Sequence, residues 1–317
     1  MREAQEIGVM ESWNGGVMGS DRETQYSNTR SLQLIPMQVI ERIADMRAWS
    51  EAERRAGRRI VFVATMGALH EGHLTLVRDA RRRGDRVVVS IFVNPMQFGP
   101  KEDFTAYPRD LKRDQALLEG AAVDVLFFPA AAEIYPAGFQ THVEVENVSL
   151  PLCGAVRPGH FRGVATVVTK LFNIVKPHVA IFGEKDYQQL QVIRQFVRDL
   201  NLDVDVVGHP IVREKDGLAM SSRNAYLSAE ERQAALCLSR SLCRAERMVR
   251  RGETSAQRLL EAVSSEIERE PLAQIEYAKL CDADTLADLE SVQHKALVAL
   301  AVRVGKTRLI DNRLLQR

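Results

Sequence analysis

Apolar and polar positions follow two different periods along the chain, which predicts strands that alternate with helices. Short runs rich in β-branched residues are typical of strands buried on both faces, and apolar residues three and four apart are typical of amphipathic helices. Strands are predicted at Ile60–Thr65, Arg86–Val93, Val123–Phe128, Thr141–Val145, Val179–Phe182 and Val204–Val207. A helix over Met37–Ala56 is predicted to precede them. This alternation favours an α/β fold with a doubly wound, Rossmann-like parallel sheet.

The pattern changes on both sides of this alternating region. Residues 1–30 are polar and rich in glycine and serine, so we expect a flexible leader there. Residues 31–210 hold the alternating strands and helices and form the predicted N-terminal domain. In residues 211–317, two helices and three short strands predict a smaller α+β C-terminal domain. The second of these helices is predicted at Ser255–Arg269.

Composition and charge narrow the class of protein. The chain has 317 residues, 45% of them hydrophobic, which suits a folded globular protein. Its 43 basic and 42 acidic side chains give a net charge of +1, so we expect neither a nucleic-acid nor a membrane partner. The four cysteines form no Cys-x-x-Cys pair, and no apolar stretch approaches the roughly 18 residues of a membrane helix. A cytoplasmic protein with reduced thiols is the expectation.

The first predicted strand, Ile60–Thr65, ends in a glycine-containing turn with two histidines, His70 and His73. A turn that opens a helix offers backbone N–H groups and the positive end of the helix dipole, which suit phosphate. Two imidazoles three residues apart share one side of the helix and can both donate hydrogen bonds. Ordinary surface histidines are the alternative, but the strand-to-helix setting favours an anion site. The zinc-protease pattern is excluded because its histidines stand four apart.

Three other segments carry side chains that suit a phosphate-containing ligand. Gln97 lies in the stiff loop Asn94–Pro100 after a strand, where open α/β sheets bind ligands, although a solvated glutamine is an equal alternative. Lys185 lies in a second strand, turn and helix unit; it can bind phosphate as a point charge or belong to an ordinary polar helix start. The hydroxyls and guanidinium of Ser221–Arg223 can clamp phosphate.

Known phosphate and hydrolase motifs are missing from the sequence. It contains no Gly-x-x-x-x-Gly-Lys-Ser/Thr loop, no Gly-x-Gly-x-x-Gly dinucleotide fingerprint and no nucleophile elbow with a triad. The three phosphate-suited segments suggest in-line attack on a nucleoside triphosphate, in which donors and cations would stabilise developing charge without a covalent enzyme intermediate.

Four motifs in order closely resemble the pantoate–β-alanine ligase family, and the tail AVRVGKTRLIDN at Ala301–Asn312 is similar too. The motifs are MGALHEGH at Met66–His73, FVNPMQF at Phe92–Phe98, GEKDYQQL at Gly183–Leu190 and DGLAMSSRN at Asp216–Asn224. The likeness spans about Ser31 to Asn312. The family belongs to the HxGH nucleotidyltransferase superfamily, alongside class I aminoacyl-tRNA synthetases.

The resemblance implies an AMP-forming ligase that uses ATP, with Mg²⁺ bridging phosphate oxygens. Pantoate carboxylate would attack the α-phosphorus of ATP, and β-alanine would then attack pantoyl adenylate to give pantothenate and AMP. The resemblance also implies a homodimer, and residues 211–317 would act as a lid. Among rival interpretations, a cytidylyltransferase of the same superfamily would be separated by a substrate panel. A tRNA-binding module would need a basic surface stripe, against which the balanced charge argues.

The resemblance also implies individual roles. Catalysis would fall to His73, His70, Lys185 and Arg223, with His73 as the family's proton donor. Gln97 and Gln189 would hold pantoate, and Gln97 would also meet β-alanine. The ATP-binding set would be Met66, Gly67, Ala68, Leu69, His70, Glu71, Gly72, His73, Gly183, Glu184, Lys185, Asp186, Val212, Met220, Ser221, Ser222 and Arg223. Because pyrophosphate leaves as a metal-bound anion, we expect His73 mainly to stabilise charge.

Overall fold

A computed structural model describes residues 36–100 and 102–316, so the predicted leader of residues 1–30 lies outside the described residues. Six neighbouring parallel strands form the larger sheet, in the order β1-β4-β3-β2-β5-β6. They are β1 (Gln38–Ile40), β2 (Ile60–Thr65), β3 (Arg86–Ile91), β4 (Val125–Phe127), β5 (Val179–Gly183) and β6 (Asp205–His209).

Helices cover both faces of this sheet because its strands carry apolar side chains on both sides. Phe62 of β2 packs into one buried cluster, and its neighbours Val61 and Val63 pack into another. The helices are α1 (Ile43–Arg55), α2 (Glu71–Arg83), α3 (Leu111–Gly120), α4 (Ala131–Ile134), α5 (Cys153–Val156), α6 (His160–Val175) and α7 (Tyr187–Asp199). The predicted doubly wound α/β fold is therefore confirmed.

The strand order places a topological switch point between β2 and β5. From β2 the chain moves through β3 to β4, and it then returns to add β5 and β6 on the other side of β2. Ligands of open α/β sheets bind beyond the carboxyl ends of the strands at such a point. The turn with His70 and His73 follows β2, and the turn with Lys185 follows β5, so both lie at this crevice.

The C-terminal part of the chain forms a second, smaller sheet with two helices. α8 (Ala229–Arg250) begins at a capping box of Ser228 and Glu231, as its sequence predicts, and α9 (Ala256–Ile267) follows. The antiparallel strands β7 (Ala273–Asp282), β8 (Lys295–Val304) and β9 (Thr307–Gln316) pack against these helices around a buried apolar cluster. No helix within the described ranges is both long and apolar enough to cross a membrane.

Two sequence predictions are wrong in detail. The helix predicted over Met37–Ala56 begins only at Ile43, because Gln38–Ile40 is an edge strand paired with Val125–Phe127. Tertiary pairing here overrides the helical spacing of the apolar residues. The segment Thr141–Val145, predicted as a strand, belongs to neither sheet, and the N–H of Val143 donates to Thr166 Oγ1 in α6 rather than to another strand.

Candidate active site

A central cavity of about 240 Å³ lies at the carboxyl ends of β2, β3 and β5. It brings together residues from every segment that the sequence predicts to bind ligand. The predicted site residues that line it are Met66, His70, Gly72, His73, Gln97, Gly183, Lys185, Asp186, Gln189, Val212, Met220, Ser221, Ser222 and Arg223. Residues far apart in sequence therefore share one concave site.

Five residues of the predicted ATP-binding set do not line this cavity. They are Gly67, Ala68, Leu69, Glu71 and Glu184. Leu69 is buried in the apolar core, and Glu71 is exposed and paired with Arg78. The side chains of Leu69 and Glu71 therefore do not face the cavity.

The rings of His70 and His73 lie against each other at the start of α2, with centroids 4.1 Å apart and planes tilted by 35°. The N–H of His70 donates to His73 Nδ1 at 3.3 Å, so the proton of a neutral His73 ring lies on Nε2. Burial, with a smaller contribution from the charge of Lys185, lowers the pKa of His73 to about 3 and that of His70 to about 4. Both rings are therefore neutral near pH 7 and act as hydrogen-bonding groups rather than cations.

Gly72 is required between these histidines by close packing. A Cβ at Gly72 would lie 2.9 Å from two atoms of the His70 ring and 3.4 Å from Met220 Cβ. A side chain here would push His70 aside. His70 Nδ1 is also buried without a hydrogen-bond partner among the described residues.

The Met66–His73 turn is held from behind by Asp114, which sequence reasoning did not single out. Asp114 is 1% exposed, and its two oxygens accept the N–H groups of Ala68 and Leu69, each at 2.8 Å. Ala68 has a φ of 50°, a left-handed value that costs energy for a residue other than glycine. The sequence predicts that backbone N–H groups of this turn suit phosphate, and two of them are instead bonded to Asp114.

The Ser221–Arg223 loop contacts this turn directly. Ser222 Oγ donates to the carbonyl of Ala68 at 3.2 Å, so this peptide is held on both sides. Arg223 forms a two-pronged ion pair with Asp103, with Nε and Nη2 at 3.1 and 2.9 Å from the carboxylate oxygens. The Arg223 guanidinium, which is predicted to bind phosphate, is therefore paired with the Asp103 carboxylate in this structure.

The Lys185 turn is supported by the last strand of the smaller sheet. Asn312 Nδ2 in β9 donates to the carbonyls of Glu184 and Lys185, both at 2.9 Å. Its neighbour Asp311 pairs with both terminal nitrogens of Arg213 at 2.7 and 2.9 Å. The tail of the sequence thus positions a cation that lies more than a hundred residues earlier in the chain.

Gln97 is fixed at the other side of the cavity by its neighbours. Its side-chain oxygen accepts from Asn94 Nδ2 at 3.1 Å, and its Nε2 lies 3.0 Å from Met66 Sδ. α6 packs so tightly on this turn that a Cβ at Gly163 would stand 2.4 Å from the Met96 carbonyl oxygen. The solvated-loop interpretation of Gln97 is therefore disfavoured by its packing.

Comparison with known proteins identifies the family. A family model described as pantoate-beta-alanine ligase matches residues 38–314. Pantothenate synthetase from Geobacter sulfurreducens is 59% identical over 276 residues, which cover 87% of this chain and 98% of that protein. The one from Heliobacterium modesticaldum is 60% identical over 280 residues, covering 88% and 100%.

Solved structures agree with these relatives. A crystal structure of pantothenate synthetase from Thermus thermophilus is 48% identical, with a TM-score of 0.83, and covers 87% of this chain and 99% of that one. Pantoate-beta-alanine ligase from Francisella tularensis, crystallised with beta-gamma ATP and beta-alanine, is 34% identical with a TM-score of 0.73, covering 88% and 97%. The chain belongs to the pantoate–β-alanine ligase family.

Proposed function

We propose that this protein joins (R)-pantoate and β-alanine at the expense of ATP, by way of pantoyl adenylate, and releases AMP and pyrophosphate. Family membership supports the reaction, and the ATP and β-alanine of the Francisella tularensis crystal structure support the substrates. The observation that carries the proposal is the convergence of the paired histidines, Lys185 and the Ser221–Arg223 loop with Gln97 and Gln189 around one cavity.

In the first half-reaction, a carboxylate oxygen of pantoate attacks the α-phosphorus of ATP. The new oxygen–phosphorus bond forms as the bond to the bridging oxygen of pyrophosphate breaks, and negative charge grows on the phosphate oxygens. Lys185, Arg223 and the Nε2–H of His73 would stabilise that charge. The low pKa of His73 means that it carries no extra proton to give away near pH 7, which supports charge stabilisation over proton donation.

In the second half-reaction, the amine of β-alanine attacks the acyl carbon of the adenylate. An amide bond forms, the acyl–oxygen bond breaks, and AMP leaves with that oxygen while the amine loses a proton. Gln97 and Gln189 would hold the pantoyl group in place for this attack, since both amides line the cavity. Positioning, rather than a covalent enzyme intermediate, would supply the rate enhancement.

The nucleotide would extend from the histidine turn toward the smaller sheet. Asp186 would meet the ribose, and Val212 and Met220 would line the rest of the ATP site. Residues 211–317 would serve as a lid domain over residues 31–210, with the contact of Ser222 on Ala68 as its closed position. We also propose a homodimer in the cytoplasm.

Mg²⁺ fits this site as part of the nucleotide complex. Across residues 36–100 and 102–316, no group of three or more His, Cys, Asp or Glu side chains is arranged to hold a metal ion. Mg²⁺ retains water and commonly binds through substrate phosphates, so its ligands here would be phosphate oxygens and water. It would neutralise part of the triphosphate charge.

AMP release from purified protein tests the proposal. We expect AMP only when ATP, pantoate and β-alanine are all present, and pyrophosphate when ATP and pantoate are present alone. Replacing ATP with CTP separates this activity from that of a cytidylyltransferase. Pyrophosphate release that does not depend on pantoate would contradict the proposed reaction.

A further inference from the structure

Arg157 lies at the boundary of the central cavity and has no role in the proposed chemistry so far. Its side chain is only 17% exposed, and its Nε and Nη2 donate to the two oxygens of Glu102 at 2.7 and 2.6 Å. This two-pronged geometry is the one in which arginine recognises a carboxylate. Burial raises the pKa of Glu102, but the hydrogen bonds and charge of Arg157 lower it by more. The pKa of Glu102 therefore lies below its ordinary value, and the carboxylate is ionised.

The remaining contacts of Arg157 fix it beside the proposed pantoate site. His160 Nδ1 donates to the carbonyl of Gln97 at 2.9 Å, which leaves its Nε2 to accept from Arg157 Nη1 at 3.0 Å. Burial lowers the pKa of His160 to about 4, in keeping with a neutral ring in this chain of hydrogen bonds. The guanidinium is thus oriented by groups other than Glu102.

A second cavity, of about 440 Å³, adjoins the central one at this point. Arg157, His160, Lys185 and Gln189 line both cavities, so the two meet beside the proposed pantoyl group. The second cavity also carries Glu102 and Glu276 together with Arg303 and Lys306. Its mixed charge suits a small zwitterion rather than a triphosphate.

The second half-reaction brings a free carboxylate close to this place, which a cation would bind. By then the pantoate carboxylate is consumed in the adenylate, and the carboxylate of the incoming amino acid is the free anion beside the acyl carbon. Lys185 and the Ser221–Arg223 loop are assigned to phosphate. Arg157 is the oriented guanidinium on the Gln97 side of the cavity.

We infer that Arg157 binds the carboxylate of the incoming β-alanine, and that Glu102 occupies its guanidinium until that substrate arrives. This inference rests on the proposed function. One carboxylate replaces another on the same fork, so the charge of Arg157 is never left unpaired. Glu102 belongs to a segment of turns and bends, residues 102–107, outside both sheets, which allows it to leave without breaking a strand ladder.

The test compares β-alanine with 3-aminopropanamide, which keeps the amine and replaces the carboxylate by a neutral amide of similar size. Amine-dependent AMP release gives kcat/KM for each acceptor. We expect the natural protein to prefer β-alanine by at least about 30-fold, because an unmatched buried guanidinium is costly. In Arg157→Gln this preference should fall to about threefold or less, and Arg157→Lys should keep part of it as a point charge.

Arg109→Gln is the matched control. Arg109 lies beside the same segment but donates to backbone carbonyls, among them those of Phe104 and Tyr107, so the preference for β-alanine should remain. Glu102→Gln should lower the KM for β-alanine several-fold because the amide competes less for the guanidinium. Thermal unfolding of each variant reports whether it is folded.

Each result decides a separate question. A preference for β-alanine that survives in Arg157→Gln overturns the inference. A rise in the KM for pantoate in this variant, with the KM for β-alanine unchanged, also overturns it, because Arg157 would then bind the carboxylate of pantoate. A KM for β-alanine that rises in Glu102→Gln overturns the exchange. Absence of pantoate-dependent pyrophosphate release from the natural protein would instead refute the proposed function.

Discussion

Asp114→Asn tests how the turn of the paired histidines is held. The two Asp114 oxygens accept the N–H groups of Ala68 and Leu69 at 2.8 Å each. An asparagine has one side-chain oxygen, so it can accept only one of them and turns an N–H₂ group toward the other. One buried N–H is then unpaired, at a cost of about 1–3 kcal/mol. That cost opposes the left-handed Ala68 conformation on which the turn depends.

If this free-energy cost destabilises the conformation of the turn that catalysis requires, kcat/KM for ATP should decrease by about 5- to 150-fold. The assay is pantoate-dependent pyrophosphate release at varied ATP, followed by the amide step with pantoyl adenylate supplied. We expect the first half-reaction to lose more than the second, because the turn carries the His73 donor that stabilises phosphate charge.

The stability of the same variant should change little. Burial raises the pKa of Asp114, so this carboxyl favours the folded state most when protonated, and that contribution is lost as pH rises through the raised pKa. At neutral pH the buried charge therefore works against folding. Its removal in Asp114→Asn offsets part of the lost hydrogen bond, and the Tm should stay close to that of the natural protein.

Asp124→Asn is the control for this prediction. Asp124 also accepts a backbone N–H, that of Val87 at 2.7 Å, but it lies near the start of β3 and away from the cavity. Its loss should lower the Tm and leave kcat/KM for ATP within about twofold. The positioning argument would be refuted if both substitutions lowered kcat/KM for ATP equally. It would also be refuted if the loss of activity in Asp114→Asn were matched by a corresponding fall in its Tm.

Three further substitutions or conditions probe other parts of the site. His73→Ala should slow pantoyl adenylate formation by roughly 10²–10³-fold, the effect of losing one electrostatic donor, and a defect confined to amide formation would contradict this. Gly163→Ala should raise the KM for pantoate at least about tenfold by displacing the Gln97 turn, whereas Gly120→Ala, with open space around it, should not. The pKa values of His70 and His73 in the folded protein, about 4 and about 3, lie below the ordinary 6.5. The contribution of these neutral rings to the stability of the fold is therefore complete above pH 6.5 and is lost as the pH falls toward those values. The Tm should therefore fall on acidification, and it should fall less in the double variant with glutamine at both positions.

The segments of the cavity around His70 and His73, Gln97 and Lys185 were predictable because each follows a strand in the sequence, whereas the Ser221–Arg223 loop was predicted from its side chains. A run such as Ile60–Thr65 followed by glycine and histidines marks a strand end, and parallel strands bring such ends together. The same reasoning could not tell that Leu69 and Glu71 face away from the cavity, since a turn with a left-handed residue does not follow helical spacing. The short strand Gln38–Ile40 was not predictable because three residues give no period.

The residues that hold these turns were not predictable in the same way, because their signal lies in contacts and not in local pattern. Asp114 in α3 resembles an ordinary polar helix residue, yet it fixes Ala68 from 46 residues away. Asn312 is 127 residues from the Lys185 carbonyl that it binds. Arg157 and His160 belong to a glycine-rich, basic segment. Their contacts with the Gln97 turn become visible only in the structure, where α6 packs on that turn. Each strand-end turn is thus supplied by its own strand and held in place by a distant element. A substitution in a supporting residue should consequently alter substrate use before it alters the fold.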